Sequence, residues 1–216
     1  MSYIDIAPSI LAADFGYLMR DIKKVEGHAE YLHIDVMDGH YVNNISFGIP
    51  VIQSIRKYTD MKFYTHLMIT EPEKYIKAFA DAGSDNITFH LECADDPDKL
   101  IKEINDLGCS AGISIHPDTP VEKVFPYIGK VKIILIMTVY PGFGGQGFIH
   151  ETLKKVSMVR ALTEKLDKKI HVEVDGGIND RTAAECRKAG ADVLVSGTYL
   201  FGSNDMVKAV NSIKGI

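Results

Sequence analysis

The sequence predicts an α/β fold, a single (β/α)8 TIM barrel that spans residues 1–216. Three observations predict it. Eight short apolar segments alternate with segments of helical character, a glycine-containing junction leads repeatedly from helix to strand, and eight such units use the whole chain. Strands that are separated by helices pair in parallel, with right-handed crossovers. An open doubly wound sheet is the alternative arrangement, and the count of eight units favours the barrel.

The strands are predicted from short apolar runs bounded by turn residues. The longest uninterrupted apolar run, Ile133–Met137, suits a buried strand. No G-x-G-x-x-G motif follows the first strand, which weakens a dinucleotide-binding interpretation and predicts no nucleotide cofactor. The eight predicted strands are residues 4–10, 31–36, 62–68, 86–90, 111–115, 131–138, 170–175 and 192–196.

The helices between the strands are predicted from apolar spacing and from capping residues. Phe15, Leu18, Ile22 and Val25 recur at helical spacing and predict one buried face. Pro72 stands where another helix can begin, because proline is tolerated in the first helical turn.

Helix ends are predicted from glycine and from short polar residues. Asn179 or Asp180 can cap a helix that ends at Ala189. Gly83, Gly108 and Gly190 each stand just before a predicted strand. Glycine just past a helix adopts the left-handed conformation that ends it, so these positions predict helix-to-strand junctions.

Composition and charge exclude several classes of protein. The 24 Lys and Arg against 29 Asp and Glu give a net charge of −5, without the basic excess of a nucleic-acid-binding protein. No apolar run approaches the roughly 18 residues of a membrane span, and residues 1–20 show no secretory signal. The three cysteines form no C-x-x-C pair. We therefore expect a cytosolic protein with no nucleic-acid or membrane partner.

Polar residues at the predicted strand ends suggest a metal site. His33 and Asp35 stand two positions apart and so share one face of their strand, while His66 lies near the end of a second strand and Asp175 ends a third. Active sites of such barrels lie at the C-terminal strand ends. Buried carboxylates are costly unless paired or metal-bound, and two imidazoles with two carboxylates suit a divalent transition ion. Each residue alone has a structural explanation, but the set favours a metal.

Glycine-rich loops follow the last three predicted strands and suggest a phosphate site. Glycine lets backbone N–H groups approach an anion closely, and barrels often bind phosphate with the loops after strands 7 and 8. Each loop alone can be a tight turn, and the three together favour phosphate binding. The loops are residues 140–146, 175–177 and 196–198.

The remaining candidates receive structural interpretations. His90 is expected in an inner polar layer near the site, and His116 at the rim of the substrate site or in solvent. Met37 and Met68 are most simply apolar neighbours of the site.

On these residues the chain resembles the ribulose-phosphate 3-epimerase family, which has a TIM barrel of the ribulose-phosphate-binding type. The resemblance covers nearly the whole chain. The motifs that carry it are APSIL at 7–11, HIDVMDGH at 33–40, HLM at 66–68, MTV at 137–139, PGFGGQ at 141–146, EVDGG at 173–177 and SGT at 196–198.

The resemblance implies a metal-dependent 3-epimerase of a ketose phosphate, D-ribulose 5-phosphate to D-xylulose 5-phosphate, in a homo-oligomer. It implies that His33, Asp35, His66 and Asp175 bind one divalent ion (Zn, Fe(II), Mn or Co), and that Asp35 and Asp175 form the acid/base pair. A proton removed on one face and returned on the other, through a metal-stabilised enediolate, inverts the carbon. The substrate contacts it implies are Ser9, His66, Gly142, Phe143, Gly144, Gly145, Asp175, Gly176, Gly177, Gly197 and Thr198.

Departures from the family pattern leave alternatives open. Residues 42–46, His116 and Tyr140 differ from it, and D-allulose 6-phosphate 3-epimerases share nearly the same motifs. A decarboxylase or synthase would place a lysine among the carboxylates, but Lys62 and Lys132 stand at the opposite strand ends. A non-catalytic phosphosugar-binding barrel would be favoured by loss of one of the four His and Asp residues, and all four are present.

Overall fold

Eight parallel strands form the centre of the molecule in the computed structural model, which describes residues 4–216. They are short, and nearly every strand residue is buried, as expected for a parallel sheet covered by helices. The strands are β1 (Asp5–Pro8), β2 (Tyr31–Met37), β3 (Lys62–Met68), β4 (Asn86–His90), β5 (Ser110–Ile115), β6 (Ile133–Met137), β7 (His171–Asp175) and β8 (Val193–Ser196).

Helices follow the strands on the outside of the sheet. Between β5 and β6 the connection is a 3-10 helix, Val121–Tyr127, which contains Pro126. Proline has no N–H to donate and disfavours a regular α-helix there. The α-helices are α1 (Leu18–Val25), α2 (Ile49–Arg56), α3 (Ile76–Asp81), α4 (Pro97–Asp106), α5 (Leu153–Thr163), α6 (Asp180–Ala189), α7 (Thr198–Phe201) and α8 (Met206–Lys214). Among residues 4–216, no helix is long and apolar enough to cross a membrane.

The sheet closes almost completely into a barrel. Its strand order is β1-β8-β7-β6-β5-β4-β3-β2, with parallel pairing between every pair of neighbours. An isolated parallel bridge between Ser9 and His33 joins the end of β1 to β2. The predicted (β/α)8 TIM barrel is therefore confirmed, and the open doubly wound alternative is excluded.

Alternation along the strands separates two cores. One face of each strand packs against the helices in the main apolar cluster, with residues such as Ile6, Ile34 and Phe63. The other face fills the barrel. At the N-terminal end this filling is apolar, with residues such as Tyr31 and Tyr64, whose rings stack at 4.1 Å. Towards the C-terminal end the interior becomes polar, with His33, Asp35, His66, His90 and Glu173 all buried.

The capping predictions are confirmed where they can be checked. The Asn179 side chain accepts hydrogen bonds from the N–H groups of Arg181 and Thr182, and α6 ends at Ala189 as predicted. Three junction glycines adopt left-handed backbone conformations, with φ of 104° at Gly83, 83° at Gly108 and 105° at Gly190.

The first helix and the first strand are both shorter than predicted. The Asp14 side chain accepts from the Gly16 N–H and starts a 3-10 turn, so α1 begins only at Leu18. Phe15 is therefore half-exposed and packs edge-on against Phe47 instead of joining a buried helical face. Likewise, β1 ends at Pro8, because the chain turns into a 3-10 segment, Ile10–Ala12.

Other boundaries differ by one or two residues, and the helix expected at Pro72 begins later. Pro72 opens a 3-10 turn, Pro72–Lys74, and α3 starts at Ile76. The strand predicted at 131–138 forms pairs only over Ile133–Met137. These differences lie at strand and helix ends and leave the order of elements unchanged.

Candidate active site

Four polar side chains from three strands meet at the C-terminal end of the barrel. His33 and Asp35 lie on β2, His66 on β3, and Asp175 is the last residue of β7. Asp35 is paired in register with His66, which places the two side chains side by side. The i, i+2 spacing left open whether His33 and Asp35 face the barrel or the helices, and both face the barrel interior.

The donor atoms of these four residues all lie within 4.8 Å of one another. Oδ1 of Asp35 lies 3.2 Å from His33 Nε2 and 3.2 Å from His66 Nδ1. Oδ2 of Asp175 lies 3.6 Å from the same two nitrogens, which are 3.4 Å apart. Ligands at about 2.0–2.2 Å from a tetrahedral ion have mutual separations in this range. The group therefore fits a divalent metal in donor type and in spacing.

Opposite charges dominate the electrostatics of His33 and Asp35. Burial by itself would lower the pKa of His33, but the carboxylates of Asp35, Asp175 and Glu173 outweigh it and raise that pKa well above the ordinary value. Burial would raise the pKa of Asp35, but His33 and His66 outweigh it and hold that pKa far below the usual range. Asp35 is consequently an ionised carboxylate at neutral pH.

His66 and Asp175 follow the same pattern. Burial would lower the pKa of His66, and hydrogen bonds to Asp175 and Asp35 outweigh it and raise that pKa. For Asp175, burial and the neighbouring Asp35 carboxylate would raise the pKa, and the two histidines outweigh them and lower it. The cluster therefore presents two anionic oxygens and two nitrogens that favour a positive charge between them.

Glu173 stands behind His33 and received no role from the sequence. Its Oε1 lies 3.0 Å from His33 Nδ1, with both side chains almost fully buried. The two atoms are close, but the ring N–H is not aligned for a regular hydrogen bond. The sequence carried a signal for this contact, since Glu173 precedes Asp175 by two positions and shares its face of β7.

His90 lies behind His66, in the inner polar layer expected for it. Its Nε2 is 2.9 Å from Nε2 of His66, and its Nδ1 is 2.9 Å from the Tyr41 hydroxyl and 3.4 Å from Glu92. Burial lowers the pKa of His90 to about 4, despite the nearby carboxylate. His90 is therefore neutral at physiological pH. Neither Tyr41 nor Glu92 was identified from the sequence.

A cavity of about 240 Å³ opens above the cluster. Asp35 and Asp175 reach its floor, and methionines from three strands line it (Met37, Met68 and Met137). His66 was expected to contact substrate, but its ring is fully buried below the cavity and faces the carboxylates. The other predicted substrate contacts all lie on the cavity wall: Ser9, Gly142, Phe143, Gly144, Gly145, Asp175, Gly176, Gly177, Gly197 and Thr198.

Ser9 connects the cavity wall to the floor. Its hydroxyl donates a 2.5 Å hydrogen bond to Oδ2 of Asp35, the oxygen that does not face the histidines. This bond fixes the orientation of the Asp35 carboxylate.

The glycine-rich loops approach each other closely over the cavity. Gly176 has φ of 113°, and a Cβ there would lie 2.2 Å from Val139 Cγ2. At Gly145, a Cβ would lie 3.9 Å from the Thr198 hydroxyl, so the loops after β6 and β8 meet. Glycine is required at Gly176 by both backbone conformation and space.

The loop after β2, which departs from the family pattern, is tied to the site at two points. Asn44 donates a 2.7 Å hydrogen bond to the carbonyl of Gly142 in the loop after β6. The Ser46 hydroxyl donates to the carbonyl of Asp35. Two other residues that depart from the family pattern, His116 after β5 and Tyr140 after β6, have ring centroids 5.3 Å apart.

Comparison with protein families gives one match over most of the chain. The model described as the ribulose-phosphate 3 epimerase family matches residues 5–201. A Bacillus subtilis protein named ribulose-phosphate 3-epimerase is 44% identical over 214 residues, covering 98% of this chain and 99% of that protein. A rice (Oryza sativa) protein named ribulose-phosphate 3-epimerase, cytoplasmic isoform, is 41% identical and covers 97% and 92% of the two chains.

Comparison with solved structures agrees on the fold. The chain superimposes on KGPDC from Streptococcus mutans with a TM-score of 0.74, at 12% identity, over 99% of this chain and 97% of that one. A 3-hexulose-6-phosphate synthase gives a TM-score of 0.68 at 18% identity, over 99% of each chain. At such low identity these similarities establish the barrel and nothing about the reaction.

Proposed function

This chain belongs to the ribulose-phosphate 3 epimerase family, whose members are isomerases that act on carbohydrates, and we propose that it converts D-ribulose 5-phosphate to D-xylulose 5-phosphate. The observation that carries the proposal is the pair of ionised carboxylates, Asp35 and Asp175, on the floor of a cavity walled by glycine loops. Inversion at carbon 3 requires a proton to leave one face and another to arrive at the opposite face. Two carboxylates from different strands suit that task.

A divalent ion belongs to the same proposal. His33 Nε2, His66 Nδ1 and one oxygen each from Asp35 and Asp175 would hold it, and Zn, Fe(II), Mn and Co all suit two nitrogens and two oxygens. Such an ion supplies Lewis acidity, which stabilises the negative charge that develops on the substrate oxygens.

The two carboxylates have distinct surroundings within the chain. Asp35 is held by the Ser9 hydroxyl on one oxygen and by the histidines on the other. Asp175 lies across the cluster on β7 and is more exposed to the cavity. We assign Asp35 and Asp175 the alternating roles of base and acid. Each positioned acid or base contributes about 10²–10⁴-fold to the rate.

The glycine loops would hold the phosphate. Gly142, Gly144, Gly145, Gly176, Gly177 and Gly197 bring backbone close to the cavity without a side chain of their own, and Thr198 adds a hydroxyl. Backbone N–H groups in such loops bind anions, and a fixed phosphate positions the distant carbon 3 between the carboxylates. We also propose the compartment named for the rice relative, the cytoplasm.

The test is a paired assay with ribulose 5-phosphate and allulose 6-phosphate, before and after treatment with a chelator. We expect ribulose 5-phosphate to be the better substrate, activity to disappear on chelation, and Zn²⁺, Mn²⁺, Co²⁺ or Fe²⁺ to restore it. A fully active metal-free preparation would contradict the metal assignment. Higher kcat/KM with allulose 6-phosphate would instead assign the hexulose phosphate as substrate.

A further inference from the structure

The two nitrogens of the His66 ring face different surroundings. Nδ1 points towards the carboxylates, 3.2 Å from Asp35 and 3.6 Å from Asp175. Nε2 points away from them and lies 2.9 Å from Nε2 of His90. Both rings are fully buried, so water does not compete for these contacts.

Two ring nitrogens at hydrogen-bond distance share one proton, since one must donate and the other must accept. Which nitrogen carries the proton decides what His66 can bind. With the proton on Nε2 of His66, its Nδ1 has a free lone pair and can ligate a cation. With the proton on Nε2 of His90, neutral His66 carries its own proton on Nδ1, and that nitrogen cannot ligate.

The partners of His90 select between these two arrangements. Its Nδ1 lies 3.4 Å from Oε2 of Glu92 and 2.9 Å from the Tyr41 hydroxyl. An ionised carboxylate can only accept, whereas the tyrosine hydroxyl can do either. Burial would raise the pKa of Glu92, but His90, Thr119 and the His116 N–H outweigh it and lower that pKa to about 2. Glu92 therefore favours a proton on Nδ1 of His90.

We propose that His90, oriented by Glu92, is a positioning residue that keeps the His66 proton on Nε2 and so presents Nδ1 to a divalent cation. The inference rests on the proposed function, because it needs the four-residue cluster to bind a metal. It adds a polar chain at the end of β4, in which the Glu92 carboxylate, 3.4 Å from Nδ1 of His90, favours a proton on that nitrogen and Nε2 of His90 accepts from His66. Outer partners of this kind typically contribute 10–100-fold to metal affinity.

Glu92 also links this chain to the loop after β5. Its Oε1 accepts the N–H of His116 at 2.9 Å and the hydroxyl of Thr119. Lys155 donates to the carbonyls of Pro117 and Thr119 in the same loop. The loop thus fixes Oε1 of Glu92, while Oε2 lies 3.4 Å from Nδ1 of His90.

Competition of the full-length protein with a chromophoric chelator for Zn²⁺ provides the first test. We expect His90→Phe, which retains a ring but removes the acceptor, to weaken Zn²⁺ binding by about 10–100-fold. His90→Gln, which restores an acceptor, should recover most of the affinity. The matched control is His171→Phe, which removes a buried histidine at the opposite end of the barrel and should leave Zn²⁺ affinity unchanged.

Nitrogen-15 NMR of the metal-free wild-type protein, titrated until the His66 signals report a neutral ring, provides a test that needs no variant. We expect the His66 proton on Nε2. A proton on Nδ1 overturns the inference, as does unchanged Zn²⁺ affinity in His90→Phe or an equal loss in His171→Phe. If wild type binds no Zn²⁺ at all, the proposed metal site fails and the inference fails with it. If wild type and His90→Phe both bind Zn²⁺ normally, the inference fails and the proposed metal site stands.

Discussion

Gly176→Ala tests whether the turn after β7, which positions Asp175, requires glycine. At φ of 113°, a residue with a side chain is strained by about 1–2 kcal/mol. The new Cβ would also lie 2.2 Å from Val139 Cγ2 and 2.8 Å from Cγ1, and overpacking of this kind costs about 1–3 kcal/mol. Together the two effects predict a loss of about 2–5 kcal/mol in the free energy of unfolding.

For a chain of this size, that loss corresponds to a decrease of roughly 4–20 °C in Tm, measurable by calorimetry. The matched control is Gly147→Ala, where a Cβ meets no atom within 4 Å and should change stability by less than about 0.5 kcal/mol.

A double variant separates the two causes. Val139→Ala removes both clashing methyl groups and leaves only its Cβ, 2.9 Å from the added one. Gly176→Ala should therefore cost less in that background, where the left-handed strain of about 1–2 kcal/mol and this smaller overlap remain. Equal stability of Gly176→Ala and Gly147→Ala would refute the reasoning, because neither strain nor overlap would then operate at this turn.

Three further outcomes are expected. Metal affinity should fall as pH decreases, starting above pH 6.5, because the raised pKa values of His33 and His66 let protons compete with the metal for the ring nitrogens. Chelator competition from pH 5 to 9 measures this, and an affinity that does not change with pH would contradict it. Asp192→Asn should destabilise by about 1.5–3 kcal/mol at pH 7, since Asp192 pairs with Arg160 at 2.9 Å. Burial would raise the pKa of Asp192, but His171 and Arg160 outweigh burial and lower that pKa, so the stabilisation from Asp192 is present above pH 3.8 and lost as pH falls further. Urea unfolding should show that the stability of the variant depends less on pH below pH 4 than that of wild type. Parallel stability profiles for the two proteins would exclude this pairing as the cause. Gly197→Val would place a Cβ 3.0 Å from Ala12 Cβ and so displace the loop after β8, which should raise KM for the sugar phosphate by about 10–100-fold, the effect of losing one charge-assisted hydrogen bond to the phosphate. Steady-state kinetics measure this, and an unchanged KM would show that the loop serves only as a turn.

The order of elements and the convergence of the site residues were predictable because both follow from short-range patterns. Spacing of two on β2 places His33 and Asp35 on one face, and the common direction of parallel strands brings His66 and Asp175 to the same end. The family resemblance is confirmed by the match over residues 5–201.

Contacts between distant segments were not predictable from the same patterns. The pairing of His66 with His90 depends on the register of β3 against β4, and the tie from Asn44 to Gly142 joins loops 98 positions apart. Local capping decided the other differences. The Asp14 side chain starts a 3-10 turn, and this turn removed Phe15 from the helical face that its spacing predicted.

The most direct measurement of the central claim follows deuterium at carbon 3 of ribulose 5-phosphate in heavy water. Wild type should give deuterated xylulose 5-phosphate. Asp35→Asn and Asp175→Asn should each slow epimerisation at least about 10²-fold. The variant that keeps the carboxylate facing the substrate hydrogen should still exchange deuterium into recovered ribulose 5-phosphate without inverting carbon 3. Asp192→Asn, at the other end of the barrel, is the control and should epimerise normally. Near-normal epimerisation by either active-site variant would contradict the assignment of one carboxylate to each face of carbon 3.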